Sequence, residues 1–171
     1  MKVLGIIAIF LVFAACQKRN QNNPSQDYDE VKEQLIEMNR KKAAGESDRI
    51  KAFVKEKKWP TIESGTGLHY FIYEHGAGDS ARTDDIAIIQ YRVELLDGTL
   101  CYELTGEEVE RFRIGQADVE SGLHEAMLYM SEGDKVHLVL PSHLAFGVAG
   151  DQSKIPQNAS LVYDLTLINL E

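Results

Sequence analysis

Ile89, Tyr91, Val93 and Leu95 interleave with Gln90, Arg92 and Glu94, and the run ends at Asp97-Gly98. Apolar residues at a period of two make a strand with one dry and one wet face, and Asp-Gly just beyond it supplies the backbone freedom of a tight hairpin. A strand of this kind needs a neighbour across the turn and a second layer over its dry face. Leu100 to Leu104 reads as the neighbour, and Arg111 to Ile114 continues the sheet. Leu68 to Tyr73, the alternating Val136, Leu138 and Leu140, and Leu161 to Leu170 read as further strands. Among them Ser121 opens as the cap of one short helix, with Leu123, Ala126, Met127 and Met130 on one face. A long loop runs from Pro141 to Asn158. Mostly strands with one short helix predict an α+β fold, an antiparallel sheet wrapped on that helix.

Upstream of Thr61 the period is helical. Asp27 with Glu30 three residues later has the form of a capping box, and Tyr28, Val31, Leu35 and Met38 follow at helical spacing. Gly45 is expected to end this helix and Ser47 to cap a second, striped by Ile50, Phe53 and Val54 and stopped by Pro60. These helices either dock on the chain's own domain or pair with a second copy. The stripe is short for a coiled coil, which favours docking and leaves a monomer or weak dimer.

The first residues carry an address. Met1-Lys2 is a minimal positive start, Val3 to Phe13 is apolar, and Phe13-Ala14-Ala15-Cys16 ends the run on small residues and a cysteine. The stretch is too short to span a bilayer and suits a signal-peptide core. Its end resembles the lipobox of bacterial lipoproteins, in which the cysteine is acylated and the preceding peptide removed. The expected organisation is a signal peptide over 1–15, a polar Asn/Gln-rich tether over 16–26, a helical segment over 27–60 and a folded domain over 61–171. Cys16 then anchors the protein to a membrane. Gln17, which is not the acidic residue that retains some lipoproteins at the inner membrane, points to the outer membrane, facing the periplasm. Lipidation leaves Cys101 without a partner for an intrachain disulfide, as a small buried hydrophobe.

Several function classes are excluded. A net charge of -9 offers no basic face to a nucleic acid. The histidines at 69, 75, 124, 137 and 143 lack metal-ligand spacing, so no metal is expected. Ser142-His143 are adjacent, which sends their side chains apart and argues against a hydrolytic triad. No glycine-rich phosphate loop is present.

Three runs in the domain carry a family likeness. Gly122-Leu123-His124-Glu125-Ala126 resembles the helix start of FKBP-type peptidyl-prolyl cis/trans isomerases. Leu140-Pro141-Ser142-His143-Leu144-Ala145-Phe146-Gly147 resembles that family's Pro-x-x-Leu-Ala-Tyr-Gly. Ile155-Pro156-Gln157-Asn158-Ala159-Ser160-Leu161-Val162-Tyr163-Asp164 resembles its Ile-Pro-Pro-Asn-Ser/Ala-Thr-Leu-Val-Phe-Asp. With Tyr91 and the Asp-Gly hairpin, the resemblance covers roughly 61–171. The lipidated form with helices ahead of the domain resembles the gliding-motility-associated lipoprotein branch.

The resemblance implies proline-containing polypeptides as substrates and an apolar cleft in which the Xaa-Pro bond twists with no nucleophile, metal or cofactor, assisting the folding of exported proteins. It implies a cleft lined by Tyr91, Val119, Leu123, Phe146, Ile155 and Tyr163, with the backbone N–H of Glu120 holding a substrate carbonyl. Phe112 supports the sheet wall, and Cys101-Tyr102 lie at the periphery, where the family has Phe-Asp. Phe146 stands where the family has a ligand-binding Tyr, and Glu120 where an apolar residue is usual. These departures imply an alternative, a proline-binding chaperone of low turnover or an accessory lipoprotein of a motility or secretion complex.

Overall fold

The computed structural model describes residues 24–116 and 119–171. The stretch read as a signal peptide, Cys16 and the part of the expected tether up to residue 23 lie outside the described residues. The chain divides into two compact units, Met1–Asn39 and Arg40–Glu171.

One helix, α1 (Pro24–Lys57), replaces the two expected ones. It starts at Pro24, within the stretch read as tether, and a proline suits a first helical turn whose N–H groups have no intrahelical acceptor. It runs straight through Gly45. A mid-helix glycine costs about 1 kcal/mol relative to alanine. Anchors just beyond it outweigh that penalty, because Ile50 and Val54 bury in a cluster with Val139 and Val162. In the first unit, Tyr28, Val31, Leu35 and Met38 are exposed. The helix ends where Lys58 turns left-handed at φ 57°. Lys58 N–H donates to Lys55 O at 3.1 Å and Trp59 N–H to Val54 O at 3.2 Å, the paired bonds of a Schellman ending.

The strands are β1 (Ile62–Glu63), β2 (His69–Glu74), β3 (Ile86–Leu95), β4 (Leu100–Leu104), β5 (Glu110–Arg113), β6 (Lys135–Leu140) and β7 (Leu161–Leu170). They form one antiparallel sheet in the order β1-β2-β6-β7-β3-β4, with β5 also paired to β3. Since β7 holds one edge of β3, β4 and β5 share the other, pairing with its second and first halves respectively. The Asp97-Gly98 turn closes with Leu95 N–H donating to Thr99 O at 2.9 Å, and Gly98 takes φ 85°.

Alternation sorts the sheet's two faces. Val136, Leu138 and Leu140 of β6 and Leu161, Tyr163, Leu165 and Leu167 of β7 join the main core, which also holds Leu123, Ala126 and Met127 of α2 (Ser121–Met127). Val139 and Val162 point the other way, to Ile50 and Val54 of α1. Helix α2 approaches the sheet closely at Gly122, where a Cβ would stand 2.5 Å from Leu140 Cδ2 and 2.9 Å from Leu144 O. Ser121 is not the cap: Glu120 holds that place without a side-chain cap bond, and Ser121 is already helical. Met130 lies past the end of α2 but is buried in the same core. The long loop opens with a single 3-10 turn, Ser142–Leu144.

Candidate functional site

A cleft of about 520 Å³ opens over the inner face of β3 and β7. Tyr91 and Val93 reach it from β3, and Tyr163 stands directly opposite Val93 on β7. The rings of Tyr91 and Tyr163 meet edge to face, 5.6 Å apart at 66°. Val119 and Glu120 enter from the segment before α2, Tyr102 from β4, Glu110 from β5, and Ala145, Phe146 and Asp151 from the long loop.

Each tyrosine in this cleft donates its hydroxyl to a carboxylate. Tyr163, 2% exposed, donates to Glu120 Oε1 at 2.8 Å. Tyr91 donates to Glu110, and Tyr102 to Asp151 Oδ2. Burial first, then the neighbouring carboxylates, pushes the Tyr91 and Tyr163 hydroxyls well above the ordinary phenol range. Burial works to raise the Asp151 carboxyl, but hydrogen bonds from Tyr102 and the backbone N–H groups of Ser153, Ile155 and Lys154 prevail and hold it at about 2. Two of those backbone bonds converge on Asp151 Oδ1, from Ser153 at 2.9 Å and Ile155 at 2.7 Å, and shape the loop tip. The cleft is therefore aromatic with a carboxylate rim, and its phenols stay protonated. It offers surface and hydrogen bonds rather than a nucleophile.

The fold thus gathers Tyr91, Tyr102, Val119, Glu120, Phe146 and Tyr163 around one opening. Leu123 and Ile155 do not line it. They are 1% and 3% exposed and belong to the main core, because the helix face that carries Leu123 packs onto the sheet. Phe112 is likewise a core residue, with its ring 5.5 Å from that of His124. Cys101 is fully buried, and burial pushes its thiol up, so it packs as a small apolar group. Sequence reasoning missed Glu110, Val93, Ala145 and Asp151. The first two had a signal in period two, since Glu110 shares a strand face with Phe112 and Val93 with Tyr91. Asp151 lies on an irregular loop whose path to Tyr102 no local pattern reveals.

A second cavity of about 310 Å³ lies on the other face of the sheet, with Phe53, Trp59, Arg92 and His137 in its lining. His137 is stacked between Trp59 at 4.1 Å and Tyr73 at 4.4 Å. The other histidines lie apart: His69 meets Thr61 at 3.2 Å and His143 meets Thr66 O at 3.0 Å.

Residues 78–168 match the family described as FKBP-type peptidyl-prolyl cis-trans isomerase. The FKBP-type peptidyl-prolyl cis-trans isomerase FkpA of Escherichia coli (strain K12) is 35% identical over 130 residues, covering 75% of this chain and 46% of that protein. The chain therefore spans about half the length of the curated FkpA relatives it matches. The crystal structure of FkpA from Escherichia coli superposes with a TM-score of 0.65 at 27% identity, over 90% of this chain and 74% of that one. A peptidyl-prolyl cis-trans isomerase from Pseudomonas syringae pv. tomato gives a TM-score of 0.63 at 26% identity, over 75% of this chain and 94% of the other.

Proposed function

This chain belongs to the FKBP-type peptidyl-prolyl cis-trans isomerase family, and from that premise we propose that its cleft binds proline-containing polypeptides and speeds rotation about the Xaa-Pro bond. The observation that carries the reading is the Tyr91, Phe146 and Tyr163 cleft, formed within the matched residues.

Rotation must overcome a barrier of about 18–20 kcal/mol that comes from amide resonance. Twisting the bond removes the resonance and shrinks the carbonyl dipole. A surface that strips water from the planar amide destabilises it relative to the twisted form, which is the differential binding catalysis needs. The rings of Tyr91, Phe146 and Tyr163 supply that surface. The backbone N–H of Glu120 holds a substrate carbonyl, and the Tyr163 hydroxyl fixes the Glu120 side chain beside it. Leu123, Ile155, Phe112 and Cys101 act from below, as packing that sets the positions of the lining groups.

One observation favours the alternative of a proline-gripping chaperone. The polar group at the family's Asp position is here Tyr102, whose hydroxyl is spent on Asp151, and Phe146 has no hydroxyl to offer. NMR exchange of an Xaa-Pro peptide, with a binding titration in parallel, separates the readings. Exchange enhancement supports the isomerase, binding without enhancement supports the chaperone, and neither refutes both.

We further propose that the chain is a lipoprotein, with 1–15 removed, Cys16 acylated and the 61–171 domain held by the segment before it at the outer membrane, facing the periplasm, where exported proteins fold. The support is the sequence from Val3 to Cys16. Among the described residues no helix is long and apolar enough to cross a membrane. Cys16→Ala should release the protein from the membrane fraction, and a variant that still pellets as tightly as the parent would sink the anchor. The exposed stripe of Tyr28, Val31, Leu35 and Met38 supports weak self-association, which sedimentation of the parent against a Val31→Lys/Leu35→Lys variant tests.

A further inference from the structure

Glu46 is a charged side chain held at 8% exposure in α1, and among the described residues the hydrogen bonds its side chain accepts come from the two ends of the segment between β6 and β7. Its Oε1 accepts the Ser142 N–H at 2.7 Å and the Ser160 hydroxyl at 2.7 Å, and its Oε2 accepts the Ser142 hydroxyl at 3.0 Å. Ser142 is the second residue after β6, and Ser160 is the last before β7. One helical turn earlier, Lys42 Nζ donates to Asn158 Oδ1 at 2.7 Å. Inside the loop, Gly147 N–H donates to Ser142 O at 2.8 Å and Asn158 N–H to Gly147 O at 2.7 Å. The bonds tie both ends of the loop into one neck, and α1 holds that neck.

The loop beyond the neck carries Ala145, Phe146 and Asp151, the cleft's wall on that side. Helix α1 has its own apolar attachment to the sheet through Ile50, Val54, Val139 and Val162. Glu46 is therefore not needed to seat the helix. Its position and its three donors serve the loop.

We propose that Glu46 is a positioning residue of the cleft: by clamping Ser142 and Ser160 it sets Phe146 and Asp151 against the substrate, which makes α1 from Arg40 onward a working part of the binding site. A carboxylate suits the task because three donors converge on it from two chain segments, and acceptor-only oxygens meet them all. A glutamine keeps one acceptor oxygen and adds an N–H that a serine hydroxyl can accept, so it restores part of the clamp. An alanine restores none.

The test compares the parent with Glu46→Gln, Glu46→Ala and Ser160→Ala, the last a milder cut should Glu46→Ala fold poorly. Two readouts are taken well below each variant's melting temperature. The first is amide hydrogen exchange at Gly147 and Asn158, relative to β6 and β7. The second is KM and kcat for an Xaa-Pro peptide, or its dissociation constant; this arm alone rests on the isomerase reading. Glu46→Ala should speed exchange at Gly147 and Asn158 selectively and raise KM on the order of tenfold, as expected when charge-assisted bonds holding a binding loop are lost. Its kcat should fall less than its affinity. Glu46→Gln should recover most of the affinity, and Ser160→Ala should lie between. A lowered melting temperature with unchanged KM and unchanged loop exchange would make Glu46 a mere structural clip and overturn the proposal. If the parent neither binds nor turns over the peptide, the isomerase reading fails, and loop exchange alone decides whether Glu46 holds the neck.

Discussion

Tyr163→Phe is the most informative single change, because it removes one hydroxyl and leaves the surroundings in place. The ring keeps its edge-to-face contact with Tyr91 at 5.6 Å, and only the 2.8 Å bond to Glu120 is lost. A hydrogen bond to a charged group is worth about 1.5–3 kcal/mol net when buried. Glu120 is half-buried and regains water once the phenol is gone, so the expected loss is nearer 1 kcal/mol. Glu120→Ala alone should be worse, about 1–2 kcal/mol, since it strands a hydroxyl on a tyrosine that is 2% exposed. With Glu120 already alanine, Tyr163→Phe should then be neutral or stabilising. Urea unfolding of the four proteins closes the cycle, with an expected non-additivity of about 1 kcal/mol. Peptide affinity on the same set reports whether a loosened residue 120 weakens the proposed carbonyl anchor. Additivity within about 0.3 kcal/mol would mean that the pair does not act as a unit, and the proposed link between β7 and the cleft's anchoring segment would be lost.

Lys58→Gly should stabilise the protein by about 0.5–1 kcal/mol, because the left-handed turn that ends α1 strains a side chain and suits glycine. Urea unfolding followed by the fluorescence of Trp59, the chain's single tryptophan, should show a higher midpoint at unchanged slope. Phe146→Tyr restores a hydroxyl to the cleft and should raise either the isomerisation rate or peptide affinity by roughly two- to tenfold, one neutral hydrogen bond's worth; no change in either would place Phe146 outside the ligand path. The raised Tyr91 and Tyr163 hydroxyls set an alkaline limit. Folding holds these phenols protonated above the pH at which the unfolded chain releases them, so their contribution is intact below about pH 10 and declines above it. Flat stability between about pH 9 and 11 would contradict that assignment.

The sheet was legible because alternation is a direct image of a pleated strand. Leu100–Leu104 and Leu161–Leu170 have their sequence-read limits, and the strands at His69, Ile86, Glu110 and Lys135 fall within a few residues of theirs. Helix boundaries were less legible. Gly45 reads as a stop in isolation, but the burial of Ile50 and Val54 is a tertiary effect that no local pattern contains. The cleft divides in the same way. Tyr91, Val119, Glu120, Phe146 and Tyr163 sit where family motifs and strand period place them, whereas Leu123 and Ile155 show that an apolar residue at a motif position packs inward as readily as it lines a cavity. Glu46 was invisible for another reason. An acidic residue in a charged helix reads as solvated surface, and its donors lie 96 and 114 positions away.

The place of β7 governs the order in which this fold can assemble. It lies between β6 and β3, and among the described residues no other strand joins the two halves of the sheet. A chain made from its N-terminus therefore holds β1, β2 and β6 on one side and β3, β4 and β5 on the other, with two unpaired edges facing a gap, until residues 161–170 arrive. Closure of that gap is a non-local event, and such events make folding slow and leave strand edges open to wrong partners. The cleft follows the same schedule, because Tyr163 is one of its walls and Ser160 one of the neck's donors. Until the last strand docks, the cleft therefore lacks both a wall and one of the bonds that hold its loop.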